Sequence, residues 1–388
     1  MNPNHLTSAM IDKIVERKIE DMAKDPKATI RQLMNYFCRF SSSRFQTPIF
    51  SILQHLLAND DSQYYIMIQN LLQNVSHSAI KNLGINLGYN SWTRGAQTVR
   101  SAMQKAGYCI PWILIFRWNP AKTNTVNLKN MNRFIRDANK LGIYAFCIRQ
   151  EIPHQSFGEI FELFDKHSDS TFFWFLPNQM LAPIHLDMIR KCENVLALFD
   201  SDESYTYRNV SLLKERKALY GIYHTYTSLQ TFDNGNQWMD YYKMYETPFV
   251  FMIPDDSCSQ EDQDAVSAYI EEVRATQQYP FYIFDFYRDI QAINEAISGS
   301  DCYMDIGSDG QLIYPKTTQI FFHDSRLIGY LAASMPATAR TQNKKTGTQI
   351  RNFKIIDSKR RYTSHRSTSP FSFSHGQKLS YMFYFSTP

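Results

Sequence analysis

Glycine is scarce in this chain, 14 among 388 residues, which argues against glycine-rich nucleotide loops, collagen-like repeats and linker-dominated arrays. Long hydrophobic runs are missing too. No stretch approaches the ~18 uncharged apolar residues of a membrane span, and the N-terminus MNPNHLTSAMIDKIVERK has no apolar segment of the secretory kind. The expected location is cytoplasmic. The six cysteines, Cys38, Cys109, Cys147, Cys192, Cys258 and Cys302, contain no C-x-x-C spacing, so they read as scattered buried thiols. H-E-x-x-H, G-x-S-x-G and G-x-x-x-x-G-K-[ST] are all absent. Zinc hydrolysis, serine-elbow hydrolysis and P-loop nucleotide hydrolysis therefore have no support in the sequence.

What is present belongs to a folded protein: hydrophobic residues make up 44%, charged residues 20%, and there are 27 Phe, 24 Tyr and 5 Trp. Charge is unevenly spread. Ten of the 41 Lys and Arg but only one of the 37 Asp and Glu, Asp357, follow Pro336, giving the tail +9 and leaving the body at −5. Any polyanion contact is expected in the tail, where Lys359-Arg360-Arg361-Tyr362 mixes cations with an aromatic. A solvated, flexible terminus is the competing reading.

Four regions follow from the patterning. Residues 1–105 read as helical, with Gly84, Gly88, Asn90 and Gly95 breaking the pattern and 84–88 expected as a loop. Residues 106–291 alternate short apolar runs, at 112–118, 143–148, 171–176, 195–199, 221–227, 248–253 and 281–286, with helical stretches. Near-continuous apolarity within the runs points to parallel strands, hence an α/β fold with a full or partial (β/α) barrel, or an open doubly wound sheet. Residues 292–336 contain an expected hairpin cap, 302–306 and 311–314, turned by Ser308-Asp309-Gly310. Residues 337–388 form the basic, flexible tail, within which the aromatic stretch 371–385 is able to dock.

The order of features then resembles a group of bacterial radical S-adenosylmethionine proteins that carry a C-terminal auxiliary-cluster region. The resemblance spans about residues 80–315. It rests on Cys109-Ile110-Pro111-Trp112 opening the first strand, Leu141-Gly142-Ile143-Tyr144 leading the second, Asp165-Lys166-His167, the run GIYHTYTSLQ from Gly221, and Asp285-Phe286-Tyr287-Arg288-Asp289. It implies a partial barrel, S-adenosylmethionine and a [4Fe–4S] cluster held by three cysteines after the first strand. Here that loop, Arg117 to Asn127, has no cysteine. The glycine pair expected after the second strand is replaced in Gln150-Glu151-Ile152-Pro153, so Gln150 and Glu151 are expected to project where the methionine moiety would lie. The auxiliary-cluster positions, Asn294 to Gly299 and Ile313-Tyr314-Pro315, also lack cysteine. Neither cofactor is expected.

Barrel enzymes work at the C-terminal ends of their strands, where Asn119, Arg149, Glu151, Asn178, Asp200, Asp202, His224, Asp255 and Asp285 fall. Asp200 with Asp285 is the candidate acid–base pair. The alternative is that these groups are solvated or paired with Arg149 and Arg288. The expected function is a radical-SAM-like pseudoenzyme that binds a partner protein, peptide or small molecule, with a cluster-free barrel enzyme as the alternative and nucleic-acid or polyanion binding by the tail as the second alternative.

Overall fold

A computed structural model describes residues 58–122, 126–155, 157–228 and 237–315, with short pieces at 13, 16–21, 24–25, 27–32, 327 and 331. The chain divides into two units, Met1–Pro336 and Ala337–Pro388, and every described residue belongs to the first. The expected basic tail, its aromatic stretch, and most of the helices expected before residue 58 lie outside the described residues.

The seven apolar runs become seven parallel strands: β1 (Ile113–Trp118), β2 (Ala145–Gln150), β3 (Thr171–Leu176), β4 (Val195–Asp200), β5 (Tyr220–Tyr226), β6 (Phe249–Pro254) and β7 (Tyr282–Asp285). The hairpin strands β8 (Met304–Ile306) and β9 (Leu312–Tyr314) extend the same sheet, β8 parallel to β1 and β9 antiparallel to β8. The order is β7-β6-β5-β4-β3-β2-β1-β8-β9. β7 and β9 do not pair, so the sheet stays open. It is nonetheless strongly curled. Phe173 on β3 and Phe251 on β6 are three strands apart, about 14 Å on a flat sheet, yet their ring centroids are 5.9 Å apart. The architecture is an α/β partial barrel.

The helices between strands cover the convex face. From residue 64 to β1 the helical elements are α1 (Tyr64–Asn74), α2 (His77–Leu83), a π-helical stretch Gly84–Gly95 and α3 (Ala96–Ala106). Between strands lie α4 (Leu128–Lys140), α5 (Gly158–Lys166), α6 (Pro183–Lys191), α7 (Thr206–Glu215), α8 (Gln237–Lys243) and α9 (Gln260–Thr276), and α10 (Phe286–Ser298) follows β7 directly. The Asn127 side chain caps α4 by accepting from the Asn130 N–H at 2.9 Å. Met131, Phe134, Ile135 and Ala138 then form its buried stripe. Phe134 meets Phe116 of β1 edge-on, and Phe116, Phe146 and Phe172 stack across the outer face of β1, β2 and β3. No helix among the described residues is long and apolar enough to cross a membrane.

Gly84–Gly95 corrects the sequence reading, which made its first residues a loop. Tertiary bonds hold the helix there: Asn86 Nδ2 donates to Ser168 O at 2.8 Å and Asn90 Nδ2 to Asp169 O at 3.0 Å, while Asn90 Nδ2 also donates to Asn86 Oδ1 one turn back at 3.0 Å. These side-chain bonds outweigh the weak helix propensity of glycine. Gly95 also has a packing reason, since a Cβ there would lie 2.3 Å from Gly142 O.

Candidate functional site

Side chains along each strand alternate between the helix-covered face and the concave face. Ring contacts among Phe173, Phe175, Tyr223, Phe251 and Phe284 mark the concave set. In register with them stand Ile113, Ile115 and Arg117 on β1, Cys147 and Arg149 on β2, Leu198 and Asp200 on β4, and Asp305 on β8. The concave face is thus apolar at its N-terminal end and charged at its C-terminal end. At the apolar end a cavity of about 80 Å³ lies between Trp112, Phe173, Phe251, Phe284, Ile290 and Leu87.

The charged end is built around Arg117. Its Nε and Nη2 reach Asp305 at 3.3 and 3.0 Å, and Nη1 and Nη2 reach Asp256, just after β6, at 2.9 and 3.2 Å. Tyr287 Oη on α10 donates to Asp305 Oδ2 at 3.2 Å and accepts from Arg149 Nη1 at 3.1 Å. The Asp305 side chain is 1% exposed. Buried charge of this kind is tolerated only when paired, and Arg117 has two carboxylates. Arg149, beside it in the ladder and half-buried, is different. Among the described residues no carboxylate lies within ion-pair distance of Arg149, and its one hydrogen bond goes to Tyr287. A guanidinium has five donors in a fork suited to carboxylate or phosphate.

The two loops that the resemblance assigns to a cluster and a methionine moiety serve here as rim. Asn119 Nδ2 donates to Glu151 Oε2 at 3.1 Å, joining the loops after β1 and β2, and Lys122 Nζ donates to Ser308 Oγ at 3.1 Å. Gln150 does not project into the groove as the sequence reading had it. It lies on the helix-covered face, where Oε1 accepts from Trp174 Nε1 at 3.2 Å and Nε2 donates to Ile152 O at 2.8 Å. Strand alternation is the reason. Ile152 and Pro153 continue that loop, and Gln179 ties it to the loop after β3, accepting from the His154 N–H at 2.8 Å. Asn178 is exposed beside it. Three-thiolate ligation does not fit these residues: the loop after β1 contains Asn, Thr and Lys but no cysteine. Among the described residues no group of three or more His, Cys, Asp or Glu has an arrangement able to hold a metal ion.

The structure does not bring Asp200 and Asp285 together. Asp200 pairs with Tyr223 and takes the parity of the concave face, whereas Asp285 pairs with Met252, on the opposite parity. Asp285 accepts from the Ser267 hydroxyl of α9 and lies 3.8 Å from Arg288 Nε. Burial pushes both carboxyls up to about 6. His224 also faces the helices instead of the groove, packing against the Tyr242 ring. Its Nδ1 is 3.2 Å from Ser201 Oγ and 3.3 Å from Asp202 Oδ1. Both partners meet the same nitrogen, so this is no Ser–His–Asp relay, in which the imidazole stands between serine and carboxylate. Asp255 caps its own loop through the Ser257 N–H and hydroxyl, at 2.9 and 2.5 Å.

The sequence reading missed Arg117, Asp256, Tyr287 and Asp305 as a cluster. One signal was available: Arg117 and Arg149 each interrupt an apolar run at an inward-facing position.

No family model matches the chain, and no curated protein matches it. Among solved structures it is similar to SuiB of Streptococcus suis, at 10% identity, with 63% of this chain and 71% of that chain covered and a TM-score of 0.46. It is similar to the same protein bound to S-adenosylmethionine, at 13% identity over 63% of this chain and 69% of that chain, TM-score 0.44. For SuiB bound to precursor peptide SuiA the values are 11% identity, 65% and 71% coverage, and a TM-score of 0.44.

Proposed function

We propose that this chain is a cluster-free binding protein, a pseudoenzyme on a radical-SAM-like plan, whose barrel mouth takes an anionic peptide or small molecule. The observation that carries this reading is Arg149: a half-buried guanidinium on the concave face, bonded to Tyr287 and to no carboxylate among the described residues. Its neighbour Arg117 is matched by Asp305 and Asp256, so of the two inward-facing arginines Arg149 is the one left to meet a ligand. Half-buried Tyr223, whose ring packs on that of Phe175, offers aromatic surface to the rest of that ligand. Missing thiolates in the loop after β1 argue against iron–sulfur chemistry, and Asp200 and Asp285, on opposite faces, do not support an acid–base pair.

The test compares pools of acidic and neutral decapeptides by calorimetry. Acidic peptides are expected to bind at least tenfold more tightly, and Arg149→Gln is expected to remove that preference, since a charge-assisted hydrogen bond contributes about 1.5–3 kcal/mol. Equal binding of the two pools, or a preference that survives in Arg149→Gln, overturns the reading. Anaerobic reconstitution with iron and sulfide is expected to leave no stoichiometric iron and no charge-transfer absorption. Stoichiometric iron would restore the radical reading.

A further inference from the structure

Arg149 is not the only charge at the mouth that lacks a counter-ion. Asp200 ends β4, two strands from β2, and takes the same concave face, half-buried like Arg149. Among the described residues no Lys or Arg lies within ion-pair distance of its carboxylate, which accepts the Asp202 N–H at 3.1 Å. Two aromatic rings stand between the charges. Phe175 is the ladder partner of Arg149 on β3, Tyr223 is that of Asp200 on β5, and their ring centroids are 5.3 Å apart. The Tyr223 hydroxyl reaches past β4 to donate to Leu176 O at the end of β3, at 3.2 Å. Strands two apart are separated by about 10 Å along a sheet. A guanidinium and a carboxylate thus flank a half-buried tyrosine on one face, and each has part of its desolvation cost uncompensated until a group of opposite charge arrives.

We propose that the mouth takes a zwitterionic peptide segment, a primary ammonium within a residue or two of a carboxylate, with the carboxylate on Arg149, the ammonium on Asp200 and the chain between them over Tyr223. It rests on Arg149 as the cation that meets the ligand and adds a second contact of opposite sign. A ligand that is only acidic would satisfy Arg149 and bring a further negative charge towards Asp200, so the face discriminates against it by like-charge repulsion. Burial pushes the Asp200 carboxyl up to about 6, which leaves it mostly ionised at pH 7. Asp202 and Glu203 add to the negative field around it, and His224, on the helix-covered face, opposes that field. A free N-terminus and a lysine side chain supply the same ammonium chemistry.

The test is calorimetry on the full chain at pH 7, where an α-amino group is also mostly protonated. Three alanine-based pentapeptide amides are compared: one beginning with glutamate and a free N-terminus, its N-acetylated form, and an N-acetylated form beginning with lysine and glutamate. At least one ammonium-bearing peptide is expected to bind about tenfold or more tightly than the acetylated glutamate peptide, and which of the two does so separates a terminus from a lysine. Asp200→Asn keeps an acceptor for the Asp202 N–H and is expected to erase that preference, with Asp200→Ser as the second variant should asparagine unsettle the loop. Arg149→Gln is expected to weaken all three. Equal binding of the three peptides, or a preference that survives loss of the Asp200 charge, overturns the zwitterion and leaves the reading of Arg149 standing as long as Arg149→Gln still weakens them. No binding by any peptide, or no effect of Arg149→Gln, overturns both.

Discussion

Two buried aspartates, Asp305 towards one end of the sheet and Asp285 on the strand at the other, are accommodated in different ways. Asp305 takes Arg117 through two donors and the Tyr287 hydroxyl through a third. Asp285 takes one serine hydroxyl, has its nearest guanidinium at 3.8 Å, and feels the like charge of Asp289. Burial pushes Asp285 up to about 6. Against guanidinium donors, a buried carboxylate becomes part of a fixed ionic lattice at the mouth. Against a hydroxyl, it stays sensitive to protonation near neutral pH.

The sharpest way to break the comparison is to remove the better-compensated member. Asp305→Ala leaves Arg117, whose side chain is 13% exposed, with only the outlying Asp256 as a carboxylate partner. Deleting one partner of a buried pair costs about 3–5 kcal/mol, because the other charge stays buried. Urea unfolding is expected to show a loss of that size. Arg117→Met in the Asp305→Ala background is expected to recover part of it, because the stranded charge is then gone. Equal stability with and without Arg117→Met would mean that Asp305 acts by packing alone.

That this lattice escaped the sequence reading has a physical reason. The strands were legible because each is a short apolar run, and Arg117 and Arg149 were visible as interruptions in two of them. Their partners were not. Asp305 reaches Arg117 only because β8 adds to the sheet beside β1, and Tyr287 arrives on α10, so the cluster depends on strand order and register. Register also decides Asp200 and Asp285. Each ends a strand, which sequence shows, but their opposite facing follows from cross-strand pairing, which it does not. Gln150 follows the same rule. The π-helical stretch was hidden because its support comes from the carbonyls of residues 168 to 170.

The second test is the pH response of Asp285. Its carboxyl sits at about 6 in the folded chain against an ordinary value of 3.8, so the folded state holds the proton more tightly. Protonated Asp285 is fully favourable below about pH 4, and stability declines as pH rises from there through about 6. Asparagine mimics the neutral form. Asp285→Asn is therefore expected to be more stable than the native chain by about 2–3 kcal/mol at pH 8, with the difference closing towards pH 4. Unfolding curves at several pH values check this. A variant less stable than the native chain at pH 8 would show that Arg288, despite its distance, compensates the ionised carboxylate.

The smallest effect expected is at Asp256, and it sharpens what makes Asp305 different. Both carboxylates bond the same guanidinium, Asp256 at 2.9 and 3.2 Å, and Arg117 holds Asp256 below the usual carboxylate range. Yet the Asp256 side chain is 71% exposed, where that of Asp305 is 1% exposed. Water screens the outer pair and solvates either member once the other is gone, so Asp256→Ala is expected to cost less than about 1 kcal/mol. Even that should fade at about 1 M salt, where the screening length falls to about 3 Å. In the Asp305→Ala background the same change is expected to cost more, because Asp256 is then the last carboxylate on Arg117 and the two losses are coupled. A double-mutant cycle in urea measures the coupling. Strict additivity, or a single-mutant loss as large as that of Asp305→Ala, would mean that proximity to Arg117 and not burial sets the worth of each aspartate.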